Sequence, residues 1–139
     1  MNQKETVMTA PDVPEESGRL LPLVDPTALR VLAEDVGEHS ASSFARDFTR
    51  IWPRRREALA AALAGTDLTV ALDAALSLRT SSTMVGATRL AALTEELERR
   101  LLADGPRAAA ALVPAVNACG EQTVVELEEC DGGAPPSAA

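Results

Sequence analysis

Few groups in this 139-residue chain are able to do chemistry. His39 is the only imidazole, and Cys119 and Cys130 are the only thiols. A metal site or catalytic triad would have to recruit His39 together with distant partners. No HExxH, GxSxG, GxGxxG, P-loop or CxxC pattern occurs, so no standard enzyme class, metal or cofactor is expected. The two cysteines make no disulfide framework. On one helix they would lie ~16 Å apart, too far to bridge, and they read as small core residues. Hydroxyls gather at Thr80, Ser81, Ser82 and Thr83 beside Arg79. Ser81 and Ser82 read as small residues that let helices approach, since no base lies near them in sequence. Five arginines, at positions 46, 50, 54, 55 and 56, concentrate on one segment. They read either as a patch for nucleic acid or an acidic partner, or as a solvated face paired with Glu57 and acidic helices.

The elements that must position these groups are helical. Hydrophobic residues make up 46% of the chain but aromatics only 2%, and alanine, leucine and valine supply the rest. Sheets lean on aromatic and β-branched residues, so this balance favours helices. The net charge of −8 and pI near 4.6 oppose binding to a phosphate backbone, and nucleic acid is an unlikely partner. No apolar run reaches the ~20 residues that cross a bilayer, and the N-terminus lacks a signal-type apolar stretch. A cytoplasmic location is the default expectation, without membrane contact. Twelve of the thirteen basic residues are arginine, which with the alanine content hints at a GC-rich, bacterial genome.

Punctuation divides the chain into five helical segments. Residues 1–18 and 131–139 read as flexible tails around a 19–130 bundle. The first helix opens at Asp25-Pro26, a capping aspartate before a first-turn proline, and ends at Gly37. The second runs from about Ser40 to Leu63 on a stripe of Phe44, Phe48, Ile51, Leu59 and Leu63. Trp52 drifts off that stripe, and Pro53 predicts a kink. The third starts at Thr66 or Asp67 and carries Leu68, Ala71, Ala75, Leu78, Ser82 and Val85 inward. The fourth, 87–102, presents Leu90, Leu93, Leu97 and Leu101. The fifth spans Pro106 to about Glu129, with Val113, Val116, Cys119, Thr123, Leu127 and Cys130 aligned and Pro114 kinking or restarting it. Short loops between long helices imply an all-α, antiparallel up-down four-helix bundle with a short extra N-terminal helix.

The third segment reads Leu76-Ser77-Leu78-Arg79-Thr80-Ser81-Ser82-Thr83-Met84-Val85-Gly86-Ala87, followed by Leu90, Leu93 and the Leu97-Glu98 pair. This resembles the histidine-containing phosphotransfer (HPt) domain of two-component phosphorelays, whose pattern is roughly H-x-L-K-G-S-S-x-x-x-G-A-x-x-L. The resemblance covers roughly residues 22–128 and implies the same bundle. Two departures stand out. Leu76 occupies the place of the phosphoacceptor histidine, and Thr80 that of a small glycine one turn later. An alkyl side chain has no lone pair to take a phosphoryl group, whereas imidazole does. The resemblance therefore implies a degenerate, non-enzymatic HPt domain that works by binding a receiver domain or a histidine kinase.

At ~100° per residue, Leu76, Thr80 and Thr83 point away from the core stripe, with Arg79 at its margin. They form a candidate docking face, an apolar centre with a polar rim, and Trp52 is its candidate border. Each has a plainer reading. Leu76 would then pack laterally on a neighbouring helix, and Arg79 would be solvated or ion-paired instead of guiding a partner. His39 could serve as a substitute phosphoacceptor only if exposed beside a cation. Its place at the start of the second helix reads instead as an ordinary surface residue.

Overall fold

The structure, a computed structural model, describes residues 21–133, with side chains up to Glu129. The expected tails lie outside the described residues, apart from 131–133, which continue the last helix. The helices are α1 (Pro26–Val36), α2 (Glu38–Ala64), α3 (Leu68–Met84), α4 (Thr88–Asp104), α5 (Pro106–Ala110) and α6 (Val113–Gly133). No strand occurs among the described residues. The chain is all-α, and α2, α3, α4 and α6 close the bundle, each packed against the next around the ring.

Local chemistry sets the boundaries. Asp25 caps α1 by accepting from the Thr27 amide at 2.9 Å, and Asp67 caps α3 by accepting from Thr69 and Val70. The fifth expected segment divides at Ala111-Leu112, so Pro114 lies in the first turn of a new helix, where its missing N–H costs nothing. α2 runs unbroken through Pro53.

The core is aliphatic. Leu90, Leu93, Leu97 and Leu101 of α4 are all buried, as are Ala71, Ala75, Leu78, Ser82 and Val85 from α3 and its exit. Val116, Cys119, Thr123 and Leu127 complete it from α6, while the Cys130 side chain lies outside the described residues. Thr94 and Thr123 are buried without penalty, because each hydroxyl donates to a carbonyl one turn back, at 2.8 and 2.7 Å. Leu68 departs from expectation and is exposed, since it is the first residue of α3 and projects beyond the packed layers.

The inward face of α2 is rotated from its expected direction. Phe44 is 38% exposed, whereas Trp52 is only 2% exposed. α2 packs against both α3 and α6, so its buried face must serve two neighbours. Trp52 points to the α6 side, where Gly120 makes room for the ring. A Cβ on Gly120 would stand 2.0 Å from Trp52 Cη2. The indole N–H donates to Glu121 Oε2 at 2.8 Å, and Arg56 holds the same oxygen at 2.6 Å.

The turn between α3 and α4 anchors the start of the described chain. Gly86 has φ of +76°, and a Cβ there would meet the Asp25 carbonyl at 2.8 Å. Its own carbonyl accepts from the Asp25 amide at 2.8 Å, and Arg89 Nε donates to the Leu21 carbonyl at 2.8 Å. The glycine permits both the turn and the close approach of the incoming strand of chain.

Candidate functional site

α3 is the element that presents the candidate face. Its inward residues leave Leu76, Thr80 and Thr83 on the opposite side, and all three are exposed. Leu76 is 46% exposed. The Thr83 hydroxyl donates to the Arg79 carbonyl at 2.9 Å, and Ser81 does the same to Ser77, so these hydroxyls turn back on their own helix. Ser82 Oγ is buried and has no hydrogen-bond partner among the described residues. Among the described residues no carboxylate or imidazole bonds to any of these hydroxyls.

Arg79 is engaged. Its Nε donates to Glu98 Oε1 at 2.7 Å, joining α3 to α4 with the carboxylate largely covered. The Arg79 and Leu97-Glu98 signatures singled out in the sequence are thus two halves of one contact. The plainer, ion-paired reading describes Arg79, though the pair runs between helices. Trp52 is also removed from the face. The indole is buried against Gly120, so it gives a partner no surface, and its expected role as a border is corrected.

α2 contributes what the sequence reading did not anticipate. Arg55 Nη1 donates to the Ser77 hydroxyl at 2.5 Å and to the Ser77 carbonyl at 3.2 Å. It therefore sits beside the residue that follows Leu76. A cleft of about 280 Å³ runs between α2 and α3, with Phe44, Ile51 and Met84 on its walls and Arg55 and Ser81 along it. The spacing Phe44, Ile51, Arg55 follows one helix edge and was the available signal. Its direction could not be read without knowing which way Trp52 faced.

Two arginines of the arginine-rich segment are paired with this chain's own carboxylates, neither of them Glu57. Arg50 pairs with Asp47 at 2.7 Å and Arg56 with Glu121 at 2.6 Å. His39 is exposed in the first turn of α2. Cys119 is a free, buried thiol, and burial pushes its ionisation upward, against smaller opposing effects of the Thr123 hydroxyl and Arg89. Among the described residues no group of three or more histidines, cysteines or carboxylates could hold a metal, and no helix is long and apolar enough to cross a membrane.

The fold is a four-helix bundle whose candidate groups lie on an outward face of one helix. The family model of the Hpt domain matches residues 43–130, and the chain belongs to that family. Hpt domains are phosphorelay signalling modules that interact with receiver domains and histidine kinases. No curated protein and no solved structure matches the chain.

Proposed function

We propose that this domain is an Hpt module unable to carry phosphate at the usual position, and that it acts by binding a receiver domain or histidine kinase. One observation carries the reading: the exposed α3 position where the family pattern places its histidine is Leu76. A leucine there supplies no nucleophile and offers apolar area that a partner can cover. Thr80, one turn on, narrows the approach that a glycine would leave open. His39 sits near the start of α2, not mid-helix on α3, so the family's geometry does not transfer to it.

The test is phosphotransfer. Incubation with a phosphorylated receiver domain or with acetyl phosphate should leave no acid-labile phosphate on the protein. Phosphohistidine at His39 would make the domain a phosphocarrier and overturn the reading. Leu76→His should restore phosphorylation weakly, and the double change with Thr80→Gly should restore more.

A further inference from the structure

We propose that the partner's acidic groups are held by Arg54 and Arg55 on the α2 side of this face, and not by Arg79; the inference rests on the proposed function. The family-like cation is unsuited to the task. Arg79 already holds Glu98 at 2.7 Å, and freeing it would leave a largely covered carboxylate without its partner. The guanidiniums of α2 differ in what holds them, and Arg46 is engaged as well. Arg50 and Arg56 have carboxylates of their own. Arg54 is exposed and has no carboxylate at ion-pair distance among the described residues. Arg55 has none either. Its Nη1 bonds to Ser77, and its Nε is buried without any partner. In a chain of net charge −8, an uncompensated Arg55 on the cleft, with the exposed and uncompensated Arg54 next to it in sequence, is a local exception.

The rest of the cleft defines what accompanies the charge. Phe44 and Met84 are 38% and 39% exposed on facing walls at the far end, with Ile51 between them and Arg55. Asp47 also lines the cleft, but Arg50 holds it. Phe44 and Arg55 lie on one helix edge, separated by ~16 Å along its axis. The complementary occupant is a protein surface with an apolar side chain entering between Phe44 and Met84. About three helical turns away, near Leu76, it carries carboxylates that meet Arg54 and Arg55. An acidic receiver pocket flanked by an apolar ridge has that chemistry.

The experiment titrates the protein against purified receiver domains and histidine-kinase domains from its own genome, by calorimetry at about 50 mM and about 300 mM salt. With a domain that binds, Arg54→Glu and Arg55→Ala should each weaken binding about tenfold or more at the lower salt, and much less at the higher. Phe44→Asp should abolish it, and Arg79→Ala should change it by less than about twofold. Arg54 is exposed, so Arg54→Glu keeps the test decisive if Arg55→Ala unfolds. Loss of binding in Arg79→Ala with both α2 variants unaffected overturns this inference alone. Failure of every receiver and kinase domain to bind the wild type overturns the proposed function and the inference together.

Discussion

Gly120→Ala probes the tightest contact in the bundle. A methyl group there would stand 2.0 Å from Trp52 Cη2 and 2.1 Å from Cζ2, well inside van der Waals contact. The indole must move, and its N–H then leaves Glu121, now 2.8 Å away. Overpacking of this kind costs about 3 kcal/mol. The lost hydrogen bond to a carboxylate adds about 1 kcal/mol, discounted because Glu121 is more than half exposed. Alanine's helix propensity returns about 1 kcal/mol. The net loss is about 3 kcal/mol, or a fall in Tm of about 12 °C for a domain of this size.

The assay is thermal unfolding followed by far-UV circular dichroism and by fluorescence. Trp52 is the only tryptophan and there is no tyrosine, so emission reports this contact alone. A Gly120→Ala protein as stable as the wild type, with unchanged emission, would refute the packing. The cycle with Trp52→Ala sharpens the point. Once the ring is gone, Gly120→Ala should be neutral or stabilising by up to about 1 kcal/mol.

Two further perturbations test other parts of the fold. Leu97→Ala removes a fully buried side chain and should cost ~2–5 kcal/mol in urea unfolding, whereas Leu76→Ala should cost under ~1 kcal/mol. Equal losses would place Leu76 in the core and remove it from the docking face. In a Cys130→Ser background, Cys119 should react with thiol reagents only as fast as the bundle opens. Because burial favours its neutral form, the stability it contributes is complete below the thiol's ordinary value of 9.0 and erodes as pH rises above it. A Cys119→Ala control should lack that alkaline erosion.

Much of this architecture was legible because its signals are local. Capping aspartates at 25 and 67, and the glycines at 37, 65, 86 and 105, mark helix ends within a few residues of where they fall. The α4 leucines each needed only their own helix to be placed. The direction of α2 was not legible in this way. Whether Phe44 or Trp52 turns inward is decided by Gly120, far along the chain, and a mid-helix glycine carries no address for the ring it admits. The candidate face divides along the same line. The exposure of Leu76, Thr80 and Thr83 follows from α3 alone. The Arg79–Glu98 pair and the placement of Arg55 against Ser77 are products of packing between helices. The motif could point to Arg79 as a cation but could not show that α4 had already claimed it.

The anchoring of Asp25 and Leu21 on the α3–α4 turn has a consequence for tethering. Residues 45–50 of α2 lie alongside Leu127 and Glu128, and Phe44 shares a cleft with Met84, so the described chain enters and leaves at one pole of the bundle. The turns at Gly65 and Gly105 form the other pole. Such a module can be suspended from either end, or inserted into a longer polypeptide, without altering its long axis. A segment joined directly to Leu21 or Gly133 would start from the Phe44–Met84 pole and compete for space with anything seated there. Binding measurements therefore belong on the full chain, without truncation to the described bundle and fusion at its ends.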